Sequence, residues 1–156
     1  GGWSAMTTTR EQVCAEARSW IGTPWIHQGH MKGVGVDCGG LIGGVALALG
    51  LVERDFWTNT FAPFAGYARN PNGDSLARVL DAFMSRIDPD DAGPGDVAAF
   101  RFRSDPRHVG FLVPYGGGGL ALVHSTNGGE RKVVEHRLDD RWRERIVLAY
   151  ALPGVH

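Results

Sequence analysis

Apolar residues in the first half of the chain recur at helical intervals, and in the second half they gather into short runs of strand length. Thr8 and Glu11 have the spacing of a capping box and open a helix. Val13, Cys14, Ala17, Trp20 and Ile21 form its apolar stripe, and Gly22-Thr23-Pro24 stops it. A glycine-punctuated loop from Pro24 to Val36 follows. Asp37 then caps a second helix, with Leu41, Ile42, Val45 and Leu49 on its buried face and Gly50 at its end. Gly39, Gly40, Gly43 and Gly44 within it each cost roughly 1 kcal/mol relative to Ala. Such a helix is expected to lie close against a neighbouring backbone or a ligand at its start. Phe56 to Tyr67 has no clean period and reads as loop. Asp74 or Ser75 caps a third helix carrying Leu76, Val79, Leu80, Phe83 and Ile87 on one face.

From Pro89 onward the pattern changes to strands: Val97–Phe102, His108–Val113, Leu120–Ser125, Lys132–His136 and Ile146–Leu152, separated by Gly-, Pro- and Asn-rich turns. Helices followed by neighbouring strands predict an α+β fold with an antiparallel sheet. With 156 residues, 43% hydrophobic and 21% charged, the chain is expected to form one folded domain. Gly1 to Ala5 reads as an expression scar before a native start at Met6, which sets the domain at residues 6–156. No leader follows Met6, so export by a signal peptide is not expected.

Sixteen basic and seventeen acidic residues give a net charge of −1, which offers no polycationic surface for nucleic acid. All of the bases but Lys32 and Lys132 are Arg. The stretch from Leu41 to Leu51 is too short to span a membrane. Two cysteines do not make a disulfide framework or a zinc module. Cys14 falls on an apolar stripe and reads as a small core residue.

Cys38 is different. At the first turn of a helix, the unpaired amides and the dipole favour thiolate over thiol. A thiolate needs a partner that exchanges protons near neutral pH, the chemistry of histidine. His108 begins one predicted strand and His124 ends the next, so an antiparallel hairpin places them at one end of the sheet. If the Cys38 helix packs on that sheet, Cys38 can serve as nucleophile, His108 as general base and then acid, and His124 as the group that fixes the His108 ring.

The flanks of these residues resemble the NlpC/P60 family of papain-like cell-wall peptidases, in particular its branch associated with the tails of phages and gene-transfer agents. The similar segments are Ala17 to Trp25, Gly33 to Leu41, Pro94-Gly95-Asp96-Val97, His108-Val109-Gly110-Phe111, Leu122-Val123-His124-Ser125 and Ala149 to Pro153. The resemblance implies a papain-like fold with the nucleophile helix on a small antiparallel sheet. It also implies hydrolysis of a peptide bond in the peptidoglycan stem, commonly γ-D-glutamyl to diaminopimelate, with no cofactor. Cys38, His108 and His124 match the catalytic positions, and Asp37, Trp25 and Gly39 the substrate-binding ones. Asp37 can receive a stem-peptide amine or simply cap its helix. Trp25 stands where many relatives carry a Tyr hydroxyl for the oxyanion, leaving more of that task to the Cys38 amide. Gly39 stands where Ser is common.

The branch further implies a virion or tail-associated particle, tail-tip partners and action in the cell wall or periplasm. The alternatives are a wall-degrading toxin delivered by a contractile secretion system and a catalytically silent structural tail protein. His27, His30 and Cys38 make a poor zinc set. Arg101, Arg103 and Arg107 near His108 form a solvated face or a carboxylate-recognition cluster. Arg141, Arg143 and Arg145 around Trp142 suit a surface turn or a docking patch. Gly116 to Gly119 lacks the Lys-Ser/Thr of a phosphate loop.

Overall fold

The computed structural model describes residues 7–56, 59, 74–102 and 106–156. Helix α1 spans Arg10–Arg18. Its cap lies one residue later than the spacing predicts: Thr9 and Gln12 form the capping box. Thr8 is drawn off by the chain's far end, its carbonyl accepting the His156 amide at 3.0 Å. Because α1 ends at Arg18, Trp20 turns inward at 4% exposure while Ile21 stays 46% exposed, against the expected stripe.

The stretch expected as loop contains a two-residue-per-arm hairpin, β1 (His30–Met31) with β2 (Gly35–Val36). Helix α2 spans Cys38–Ala48 with Asp37 as cap, as predicted, and is buried from Cys38 through Ala46. Its glycines are there for close packing. A Cβ on Gly44 would strike the Trp20 ring, and one on Gly40 would strike the Gly29 carbonyl oxygen.

A single turn, α3 (Arg54–Phe56), follows. The loop expected over Phe56 to Tyr67 otherwise lies outside the described residues, apart from Asn59. Helix α4 spans Asp74–Asp81 and buries Leu76, Val79 and Leu80. It does not reach Ile87, which belongs instead to edge strand β3 (Ser85–Ile87).

The strands β4 (Val97–Arg101), β5 (Pro106–Pro114), β6 (Leu120–Ser125), β7 (Val133–Arg137) and β8 (Ile146–Ala151) match the predicted runs to within two residues. With β3 they form one antiparallel sheet in the order β3-β8-β4-β5-β6-β7. β4 stops short of Phe102 at a register shift after Phe100, where the Arg101 amide turns to the Arg145 carbonyl at 2.8 Å. A four-residue helix not foreseen from the sequence, α5 (Asp140–Arg143), is capped by Asp139.

Strand alternation divides the sheet into two faces. Val97, Ala99, Val109, Phe111, Val113, Ala121, Val123 and Val133 form one buried cluster with the residues of α1 and α2. Ala98, Phe100, Leu112, Leu122 and Leu138 form a second, against Trp142 and Ile146. Among the described residues no helix is long and apolar enough to cross a membrane.

Candidate active site

Cys38 opens α2 and is 8% exposed. Both oxygens of Asp37 hold backbone amides: one accepts the Gly40 N–H at 2.7 Å, the other the Gln28 N–H at 3.0 Å. Asp37 therefore fixes the first turn of α2 and the loop beside it together, the capping role open to it from the sequence. The Ser125 hydroxyl donates to the Val36 carbonyl at 2.7 Å, tying the start of α2 to the last residue of β6.

β5 and β6 are antiparallel, so the first residues of β5 lie beside the last of β6 at that same end of the sheet. His108 and His124 meet there. His108 Nε2 and His124 Nδ1 are 2.6 Å apart, and the rings are nearly perpendicular. Both lie on the face of Phe100 and Leu122, opposite the valines that carry α2. Gly110 makes the pairing possible. A Cβ there would stand 2.7 Å from Leu122 Cδ1 and 2.9 Å from His124 Cβ.

A third imidazole was not singled out from the sequence. His136 on β7 places its Nε2 2.8 Å from His124 Nε2, and its Nδ1 lies 2.9 Å from the Arg137 carbonyl oxygen. The signal was available: the predicted β6–β7 hairpin brings His136 opposite Leu122, next to His124 on the same face. Trp142, for which the sequence suggests a surface turn or a docking patch, lies in α5 with its indole spanning the three rings, 6.0 Å from His108 and 5.1 Å from both His124 and His136.

Under this cover the imidazoles are poor hosts for charge. Burial, with His136 nearby, pushes the His108 pKa down to about 4. Burial and the two neighbouring rings hold His124 lower still. Both rings are neutral at pH 7, so His108 is available to take a proton.

The remaining candidates lie in several parts of the fold. Trp25 is half-buried in the loop before α2, with its ring 6.3 Å from that of His27 and the Arg131 guanidinium 5.9 Å above it. Gly39 is buried in the first turn of α2. His30 is exposed, its Nδ1 3.3 Å from the Gln28 carbonyl. Cys14 packs in the core with its thiol directed at the Leu112 carbonyl, 3.8 Å away, and burial raises its pKa. Among the described residues no group of three or more His, Cys, Asp or Glu is placed to hold a metal ion.

Arg101 is exposed at the end of β4, while Arg103 and the side chain of Arg107 lie outside the described residues. Arg145 lies over Phe102 at 5.0 Å. With Phe102, Arg141 and Trp142 it lines a cavity of about 350 Å³ on one side of the histidines. A second, of about 320 Å³, is lined by His124, Thr126, Glu130, Val134, Glu135, His136 and Trp142.

In sequence, no protein-family model and no curated protein matches the chain. Solved structures do match its fold. A protein described as similar to a lipoprotein, of the NLP/P60 family, from Staphylococcus aureus subsp. aureus Mu50 superposes with a TM-score of 0.60 at 16% identity, over 98% of this chain and 45% of its own. The NlpC/p60 domain of the peptidoglycan hydrolase SagA gives 0.59 at 19% identity, over 93% of this chain and 100% of its own. NlpC1 from Trichomonas vaginalis gives 0.61 at 16% identity, over 99% and 48%. The chain thus spans about half the length of two of these proteins and the whole of the third. It has the NlpC/P60 fold, the papain-like α+β architecture that the motifs led us to expect.

Proposed function

We propose that this chain is a cysteine peptidase that hydrolyses peptide bonds in the stem peptides of bacterial peptidoglycan. The observation that carries the reading is the His108–His124 pair, bonded at 2.6 Å at the sheet rim to which the Ser125–Val36 bond holds the start of the Cys38 helix. In this mechanism the Cys38 thiol passes its proton to His108, and the sulfur attacks the scissile carbonyl carbon. The oxyanion forms at the Cys38 amide and the helix N-terminus. His108 then protonates the departing amine, leaving a thioester. Water, deprotonated by His108, hydrolyses the thioester and restores the thiol. His124 holds His108 in register throughout. Trp25 and Gly39 border the substrate, and Asp37 keeps the nucleophile turn in place.

The γ-D-glutamyl–diaminopimelate bond is the proposed point of cleavage. A phage or phage-like tail is the proposed carrier to the cell wall, a reading supported by the sequence motifs shared with that branch and tested by looking for the chain in purified particles. Mass spectrometry of muropeptides released from purified sacculi tests the chemistry. The wild-type protein should release peptides newly ended at D-glutamate, and Cys38→Ala should release none. Equal release by Cys38→Ala would overturn the assignment.

A further inference from the structure

With its three rings neutral, the histidine chain has a direction that its hydrogen bonds determine. A carbonyl oxygen only accepts, so His136 Nδ1, 2.9 Å from the Arg137 oxygen, carries the hydrogen. In a neutral ring its Nε2 then has the lone pair. His124 Nε2, 2.8 Å away, must donate to it, which leaves His124 Nδ1 as an acceptor. His108 Nε2 lies 2.6 Å from that acceptor and must donate in turn. The lone pair of the series therefore ends on His108 Nδ1, and no other set of neutral tautomers satisfies all three bonds.

We propose that His136 is a positioning residue for the reaction: through His124, and anchored by the Arg137 carbonyl, it fixes His108 in the Nε2–H tautomer and so keeps Nδ1 basic. The inference rests on the reading of His108 as the general base. Three features support it. His124 is 2% exposed, so its Nε2–H needs an acceptor within the fold, and His136 Nε2 lies 2.8 Å away. Trp142 lies across all three rings at 5.1 to 6.0 Å. The relay also needs no change of tautomer in turnover: when His108 Nδ1 gains a proton, both existing bonds persist.

Without an acceptor at position 136, His124 can adopt the Nδ1–H form. It would then donate to His108 Nε2, moving the His108 hydrogen onto Nδ1, where it blocks the base. Long-range ¹H–¹⁵N correlation spectra of ¹⁵N-histidine-labelled protein read the tautomers directly. The expected pattern in the wild type is His136 Nδ1–H, His124 Nε2–H and His108 Nε2–H; a His108 ring protonated at Nδ1 overturns the proposal. In kinetics on stem peptides, His136→Leu should lower kcat about 10- to 100-fold with KM little changed, by analogy with loss of the hydrogen-bond partner behind a metal-bound histidine. His136→Gln, whose amide oxygen can accept from His124, should recover most of that loss. Full kcat in a folded His136→Leu protein sinks the proposal, and if that variant does not fold, the wild-type spectra and His136→Gln decide. The assigned tautomers in a wild-type protein that cuts no stem peptide would uphold the relay and refute the peptidase.

Discussion

Replacing Gly110 with Ala tests whether the His108–His124 pair depends on backbone space. The added Cβ would stand 2.7 Å from Leu122 Cδ1, 2.9 Å from His124 Cβ and 2.9 Å from the Val123 carbonyl oxygen. Carbon atoms in contact settle at about 3.5–4.0 Å, so relief demands movements approaching 1 Å. Leu122 can yield by rotating its end. The Val123 carbonyl is β6 backbone and His124 Cβ is bonded directly to that backbone, and β6 is held between β5 and β7. Overpacking of this kind costs about 1–3 kcal/mol. For a domain of this size, that lowers Tm by about 2–12 °C. Shifting β6 also lengthens the 2.6 Å bond between the imidazoles, and a misplacement of about 1 Å can reduce turnover about 100-fold. The assay pairs thermal denaturation with stem-peptide hydrolysis. Gly117→Ala serves as control, because a Cβ there would meet only a Tyr115 ring carbon at 3.8 Å. A Gly110→Ala protein that melts and turns over like wild type would refute the reasoning.

Cys14→Ser should leave stem-peptide cleavage within about twofold of wild type, since Cys14 lies in the core with its pKa raised by burial; a loss like that of Cys38→Ala would place the chemistry on the wrong sulfur. Acid should weaken the fold: the unfolded chain binds protons on His108 near pH 6.5 whereas the folded one resists until about 4, so stability falls as pH drops through that window, and urea midpoints equal at pH 7.5 and 4.5 would contradict it. Gly44→Ala should destabilise by about 1–3 kcal/mol in urea denaturation because its methyl would meet the Trp20 ring, and an unchanged midpoint would show that the ring moves aside freely.

The parts of the fold legible in the sequence are those that a strong period or a cap specifies. Asp37 and the apolar positions after it define α2, and the runs around Phe100, Phe111, Val123 and Ala149 define four strands of the sheet. Elements held by tertiary partners are not visible this way. β1 and β2 have two residues each, and β3 takes Ile87 away from a helical pattern because β8 offers it an edge. α5 has four residues and an Arg-rich sequence that reads as surface, although Trp142 within it packs against Phe100 with ring centroids 5.3 Å apart. His108 and His124 could be placed at one end of the sheet by hairpin geometry alone. His136 required the next hairpin's register as well, and its meaning depends on a backbone carbonyl that no side-chain pattern reveals.

Strand alternation explains why the imidazoles sit where they do. Val109 and Val123 face α2 in the main core, so their neighbours His108 and His124 must point to the other face. A polar chain on the helix-packed face would interrupt the apolar contacts that hold α2, and its rings would need partners there. On the opposite face the β4 and α5 aromatics Phe100 and Trp142 shelter the rings, and the chain satisfies its own donors one bond at a time until the Arg137 carbonyl closes it. With the faces separated, the proposed reaction requires the start of α2 and His108 to meet at the end of the sheet. The Ser125–Val36 bond fastens that end, joining the residue after His124 to a residue two before Cys38. Core packing sets the position of α2 along the sheet, and the strand register sets which imidazole lies at its rim.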